Sequence, residues 1–171
     1  MNKINHTNHN NREDLGGEHK IGDIGQLILF ILFLIIWIGD SFFLHYSTFL
    51  ADRIPMFFRV PVFIILFISG AYIARTGLAT VFGEVREKPI VLREGVFGVV
   101  RHPIYLSAMF LYLSLFILTA SIFSFIFLLL IFVFYHFISK HEEKLLLAKF
   151  GNEYEKYIAE VPMWLPKFTR K

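Results

Sequence analysis

Pro103 to Ile138 reads PIYLSAMFLYLSLFILTASIFSFIFLLLIFVFYHFI, a run with one histidine and no Asp, Glu, Lys or Arg. As a single helix it would be on the order of 54 Å long at about 1.5 Å per residue, far more than the roughly 30 Å of hydrocarbon in a bilayer. The run must therefore fold back on itself. Thr119-Ala120-Ser121 is its most polar point and the place for a break, although the turn lacks Gly and Pro. Pro103–Leu118 and Ile122–Ile138 then become two helices of about 22–25 Å each, a little short for a full crossing and suited to local thinning or partial insertion.

Two further apolar segments precede this one, about Ile24–Leu44 and Met56–Ala74. The chain is 56% hydrophobic with 21 Phe, more than a soluble domain of 171 residues carries. The pattern predicts an all-α integral membrane protein with about four transmembrane helices, a C-terminal helical hairpin and an amphipathic cytosolic tail. Cysteine is absent, so a disulfide framework, a thiolate nucleophile and a cysteine-ligated metal are excluded. The net charge of +3 is small and its basic residues flank apolar blocks, which reads as membrane-flanking charge and not as a nucleic-acid surface. Met1–Asp23 is polar, rich in Asn and His, and expected to be a disordered arm and not a secretory signal. His6 and His9 lie three apart within it and read as solvated, so no metal site is expected. The expected organisation is the arm, two transmembrane helices over 24–76, and a third region over 77–171.

Basic residues set the orientation. Only Arg53 and Arg59 of the 17 lie on the side of the first interhelical loop; the rest lie in the arm, in the Arg75–Arg101 connection and in the C-terminal tail. These three regions are assigned to the cytosol. The hairpin then leaves the cytosolic face and returns to it, which brings Arg101-His102-Pro103 beside Glu142-Glu143.

Pro103 suits the first position of a helix, and His102 before it is pushed toward extended backbone. The free N–H groups of that helix end, with Arg101 and His102 beside them, suit an anion. On a helix ending near Ile138, the terminal carbonyls and the two glutamates suit a cation. A ligand with both charges fits such a hairpin, and S-adenosylmethionine has an α-carboxylate, an α-ammonium and a sulfonium. Methyl transfer from a sulfonium needs an in-line nucleophile and exclusion of water more than covalent help. A lipid acceptor would enter sideways. Gly95-Val96-Phe97-Gly98 lacks the spacing of a dinucleotide-binding loop, and no strand–helix unit surrounds it.

Gly95-Val96-Phe97, Arg101-His102-Pro103-Ile104-Tyr105, the apolar stretch, Glu142-Glu143, Phe150-Gly151-x-x-Tyr154-x-x-Tyr157 and Val161-Pro162 together resemble the isoprenylcysteine carboxyl methyltransferase family. That family and the related phospholipid methyltransferases share an RHPxY–hydrophobic–EE pattern, here covering about Val91–Pro166. The resemblance implies a membrane-embedded methyltransferase with S-adenosylmethionine as donor, a lipid or lipidated acceptor, and 77–171 as its catalytic region. It implies cofactor contacts from Val91, Leu92, Phe97, His102, Pro103, Ile104, Tyr105 and Glu142. Arg101 and Glu143 are the expected catalytic pair, with Glu143 orienting Glu142 or making a second contact. Phe97 stands where family members commonly have Tyr. Lys140 stands near the position of an Arg found in members that act on a prenylcysteine carboxylate, a departure that counts against that acceptor and keeps a phospholipid amine, a thiol or another small lipid open beside it.

Other residues carry separate expectations. Ser139-x-x-Glu142 matches a capping box for a new helix. Asp40 and Arg59, at similar depth near the outer ends of the first two spans, are expected to form an ion pair. His136 shares a helix stripe with Lys140 and Glu143 and is expected to reach headgroups, with a catalytic role the lesser reading. Trp164, Tyr154 and Tyr157 read equally as interfacial anchors and as substrate contacts. Gly151-Asn152 should interrupt the helix ahead of an amphipathic tail that lies on the interface and covers the pocket. Two other function classes fit less of the pattern: an NADPH-dependent membrane reductase of the sterol-reductase kind, and a non-catalytic membrane interaction protein.

Overall fold

A computed structural model of the chain describes residues 20–83 and 89–166. The expected arm lies outside the described residues as far as residue 19, His6 and His9 included; residues 20–23, expected to belong to it, already form the first turn of a helix. Five α-helices make up most of the described chain: α1 Lys20–Ile38, α2 Met56–Phe82, α3 Pro103–Thr119, α4 Ile122–Phe150 and α5 Asn152–Glu160. A π-helical turn, Gly39–Leu44, prolongs α1, and short 3-10 turns lie at Phe49–Asp52 and Gly95–Gly98.

Among the described residues, three stretches are long and apolar enough to cross a membrane: Ile24–Leu44, Met56–Phe82 and Ile122–Phe150. The fourth apolar helix, α3, has 17 residues, or about 26 Å, and is shorter than the hydrocarbon core. Its face toward α2 packs closely. A side chain added at Gly70 of α2 would stand 3.1 Å from Phe110 Cβ and from the Ser107 carbonyl, and one at Gly77 would stand 3.2 Å from Ile104. Phe33 from α1, Met109 and Tyr112 from α3, and Leu128, Ile131 and Tyr135 from α4 form the buried centre. Outward faces of α1, α2 and α4 expose Ile, Leu and Phe side chains, the surface that lipid tails would cover.

The hairpin breaks where polarity placed it. Ala120 adopts a left-handed conformation (φ 54°) that stops α3, and Ser121 caps α4 by accepting the Ser124 N–H at 3.2 Å. The turn is held without Gly or Pro because the first loop grips it. Asp40 accepts hydrogen bonds from the Ser47 hydroxyl, from the Ser47 N–H at 3.0 Å and from the Ser121 hydroxyl at 2.6 Å. Trp37 Nε1 donates to the Leu115 carbonyl and to Thr119 Oγ1, both at 2.9 Å.

Asp40 and Arg59 are therefore not an ion pair. Arg59 donates to the Leu118 carbonyl at 2.6 Å and to the Ile54 carbonyl at 2.9 Å. Both side chains converge on the same turn, but each takes a neutral partner that is closer than the other charge.

The largest departure is the length of α4. It does not end near Ile138 but runs 29 residues to Phe150, or about 43 Å, and carries Glu142 and Glu143 well inside it. The end of the apolar run is a boundary of polarity, not of backbone: no Gly or Pro follows until Gly151. Two expectations fall with this. The glutamates do not sit at a helix C-terminus, so terminal carbonyls add nothing to their field, and Ser139 caps no helix. Gly151 (φ 54°) makes the break and turns the chain into α5.

Candidate active site

α3 and α4 run antiparallel, as the pairing of Phe116 with Phe125 at one end and of Tyr105 with Tyr135 toward the other shows. The first turn of α3 therefore meets the far part of α4. Arg101 Nε donates to Glu143 Oε1 at 2.7 Å, across 42 residues of sequence. His102 Nε2 lies 3.2 Å from the same oxygen, and His102 Nδ1 is 3.7 Å from Glu142 Oε2. The Tyr105 hydroxyl donates to Glu142 Oε1. Arg101, His102, Glu142 and Glu143 are all largely withdrawn from solvent, with His102 only 7% exposed.

Sequence topology thus predicts the juxtaposition, but not its electrostatics. Arg101 is not an open anion receptor. Besides Glu143, its Nη1 donates to the Ile158 carbonyl at 3.0 Å and the Val161 carbonyl at 2.6 Å, and its own N–H donates to the Pro162 carbonyl at 3.0 Å. Arg101 ties the C-terminal segment to the glutamate pair. Arg101 is thus matched by Glu143, and Glu142 adds a second carboxylate beside His102 and Tyr105.

Aromatic rings extend the site in two directions. His102 lies nearly parallel to Tyr105, with ring centroids 5.8 Å apart, and Tyr105 stacks on Tyr135 at 5.1 Å. Trp164 lies 6.0 Å from His102 and 5.5 Å from Phe132, and its Nε1 donates to His136 Nδ1 at 3.3 Å. His136 is thereby tied to the C-terminal strap.

The remaining expected contacts have other neighbours. Val91 is buried with Tyr154, Tyr157 and Val161 in a second core, and Leu92 beside it is half-buried. Pro103 is fully buried, and Ile104 abuts Gly77 of α2. Phe97 sits in the Gly95–Gly98 turn, where its carbonyl accepts the Tyr157 hydroxyl at 2.7 Å. Tyr154 and Tyr157 are thus core residues rather than interfacial anchors. Burial pushes the Tyr157 phenol up to about 12 while Arg101 and Arg93 pull it down, and burial with Glu143 nearby pushes Tyr154 up as well. Tyr135 and Ser139 are the members of this region that motif reading misses. Their signal is the spacing Tyr135–Ser139–Glu142–Glu143, a single helical face in apolar surroundings.

The profile of the phospholipid methyltransferase family matches residues 56–153, more than half of the 171-residue chain, from the start of α2 through both halves of this cluster. The chain belongs to the phospholipid methyltransferase family. It is an integral membrane methyltransferase, in agreement with its three long apolar helices. A search of curated proteins finds no match to the methyltransferase. Family membership favours neither the reductase nor the non-catalytic reading, and residues 101–105 and 142–143 fall inside the matched segment.

Proposed function

We propose that the protein transfers a methyl group from S-adenosylmethionine to a lipid or lipidated acceptor, at the end of the hairpin where Arg101, His102 and Tyr105 meet Glu142 and Glu143. That convergence carries the reading: two carboxylates, an imidazole and a phenol share one sheltered place inside the segment matched to the family. The donor set fits the group. A sulfonium amino acid brings positive charge to carboxylates and an ammonium to hydrogen-bond acceptors, and its purine and sulfonium suit the aromatic face of Trp164.

Glu142, His102 and Tyr105 would hold the charged end of the cofactor, with Pro103 and Ile104 supplying the first turn of α3 and Val91, Leu92 and Phe97 the wall built on the connector. The cofactor supplies a methyl group already activated as an electrophile. The chain supplies orientation and dryness. Glu143 fixes Arg101 and His102, so the first turn of α3 is held rigidly against α4. Trp164 lies across His102 and shields it. The acceptor comes from the bilayer side, since the outer faces of α1, α2 and α4 are apolar up to the cluster. The charge distribution supports a cytosolic position for this end, with Arg53 and Arg59 alone on the other side among the spans and their loops. Lys140, exposed and in a different register from the cluster, supports an acceptor other than a prenylcysteine carboxylate.

The test is binding and turnover with purified protein in nanodiscs. Labelled S-adenosylmethionine should bind and NADPH should not. Label should pass to one of phosphatidylethanolamine, a prenylcysteine or a small thiol. Glu142→Ala and His102→Ala should each weaken cofactor binding by about tenfold or more, the loss expected for a charged hydrogen bond. Equal binding by wild type and both variants would refute the assignment.

A further inference from the structure

Hydroxyls inside these helices turn back on their own backbone. Ser107 Oγ donates to the Ile104 carbonyl and Ser114 Oγ to the Leu111 carbonyl, while Thr76 and Thr80 bond the carbonyls of Tyr72 and Thr76. Ser139 does not. Its side chain is 0% exposed, and its Oγ has no hydrogen-bond partner among the described residues. A hydroxyl in that position loses its water without compensation, so the folded protein bears a cost that an alanine would remove.

The neighbours of Ser139 are those of the candidate site. Tyr135 precedes it by one helical turn, and Glu142 and Glu143 follow it by one, spacings that put all four on one face of α4. Tyr135 stacks on Tyr105, and the Tyr105 hydroxyl reaches Glu142. Ser139 is therefore bracketed by the site along α4 and belongs to the same buried stripe as Ile131 and Tyr135. Ser124, also without a partner among the described residues, lies about 22 Å away along α4, beside Ser121 and its Asp40 partner at the other end of the hairpin from the candidate site.

We infer that the Ser139 hydroxyl contacts ligand, and that with the Glu142 carboxylate it forms an acceptor pair for an ammonium or amine group. This rests on the methyltransferase reading above. An ammonium carries three donors and needs several acceptors when it leaves water. A carboxylate can accept from more than one donor, and a neighbouring hydroxyl adds lone pairs without adding the repulsion of another charge. Two ligands carry that chemistry here: the amino-acid end of the methyl donor, and the amine headgroup of a lipid acceptor.

Full-length protein in nanodiscs, as wild type, Ser139→Ala and Ser139→Thr, separates them with three measurements. Calorimetry gives the affinity for S-adenosylmethionine, transfer of labelled methyl gives KM for phosphatidylethanolamine, and thermal unfolding is followed without either ligand. Ser139→Ala should weaken one of the two binding measurements by about tenfold, as loss of a hydrogen bond to a charged group does. It should also leave the ligand-free unfolding temperature unchanged or raised, because an orphaned polar atom is gone and Ala is the better helix former. Ser139→Thr, which keeps the hydroxyl, should retain binding. A loss in S-adenosylmethionine affinity identifies the donor's ammonium as the partner; a rise in KM identifies the lipid amine. Unchanged cofactor affinity with no Ser139-sensitive turnover of phosphatidylethanolamine overturns the inference, and so does a fall in unfolding temperature that parallels the binding loss. Wild-type protein that neither binds the cofactor nor transfers methyl removes the methyltransferase reading itself, and the Ser139 assignment with it.

Discussion

Arg101 turns its guanidinium inward, and this decides what the residue does. Its Nε serves Glu143 while Nη1 serves two main-chain carbonyls, of Ile158 and Val161, so one planar fork joins the entry to α3, α4, α5 and the residue after α5. A lysine has the charge but not the fork. Arg101→Lys should leave at least one of those carbonyls without its donor, at about 1–3 kcal/mol for a buried group. The expected result is lower thermal stability, faster hydrogen exchange in α5, and weaker cofactor binding in the same variant. Weaker binding with α5 protected as in wild type would instead put Arg101 in direct contact with ligand. Which residues meet was legible from topology, because a hairpin returning to its own side of the bilayer leaves Arg101 and Glu143 no other place. What they do to each other was not legible, since a charge expected to face a ligand can equally be satisfied by its neighbour. Asp40 and Arg59 make the same point, each taking serine or carbonyl partners within a few ångströms.

Among the elements, the α3–α4 turn shows how polarity locates a break that local sequence does not encourage. Ala120 accepts a left-handed backbone because Asp40, Ser47, Ser121 and Trp37 tie the turn to the first loop. Ser121 does two things there, capping α4 and donating to Asp40. Ser121→Ala should lower stability by about 1–3 kcal/mol, measured by unfolding in detergent. Cofactor affinity should not change, because the site lies at the other end of the hairpin. The far end of α4 escapes a hydropathy reading for a related reason: hydropathy reports where lipid ends, and α4 continues as a helix into water until Gly151. The tail carries its own signature. Tyr154 and Tyr157 are 3% and 2% exposed and hold their protons to higher pH in the folded chain than their ordinary value near 10. Above that ordinary value the unfolded tail loses protons that the folded tail keeps, so its stability is complete below about pH 10 and falls as pH rises toward about 12. Phenolate absorbance should appear together with loss of α5 helicity over that window. Tyr157→Phe should remove part of the pH dependence while losing the bond to the Phe97 carbonyl.

The molecule as a whole poses a question of sidedness. Its site lies at the end of α4 that carries Lys140, Lys144 and Lys149, while Arg53 and Arg59 mark the opposite end with the loop between α1 and α2. If basic residues keep to the cytosol, Lys156 on α5 faces the cytosol and Asp52 faces away from it. The absence of cysteine makes this directly measurable, since any thiol introduced is the only one present. Asp52 and Lys156 are both exposed, so Asp52→Cys and Lys156→Cys should fold as the parent does. In intact cells a membrane-impermeant maleimide should label the Asp52→Cys variant and spare the Lys156→Cys variant, whose thiol should react only after permeabilisation. The reverse pattern would put the glutamate cluster on the outer face, away from the cytosolic pool of methyl donor, and the proposed reaction would lose its supply. Labelling of both variants in intact cells would mean that α3 and α4 do not return the chain to the side where α2 ends. That outcome would undo the step on which the whole site depends, because Arg101 and Glu143 meet only if the hairpin begins and ends at one face.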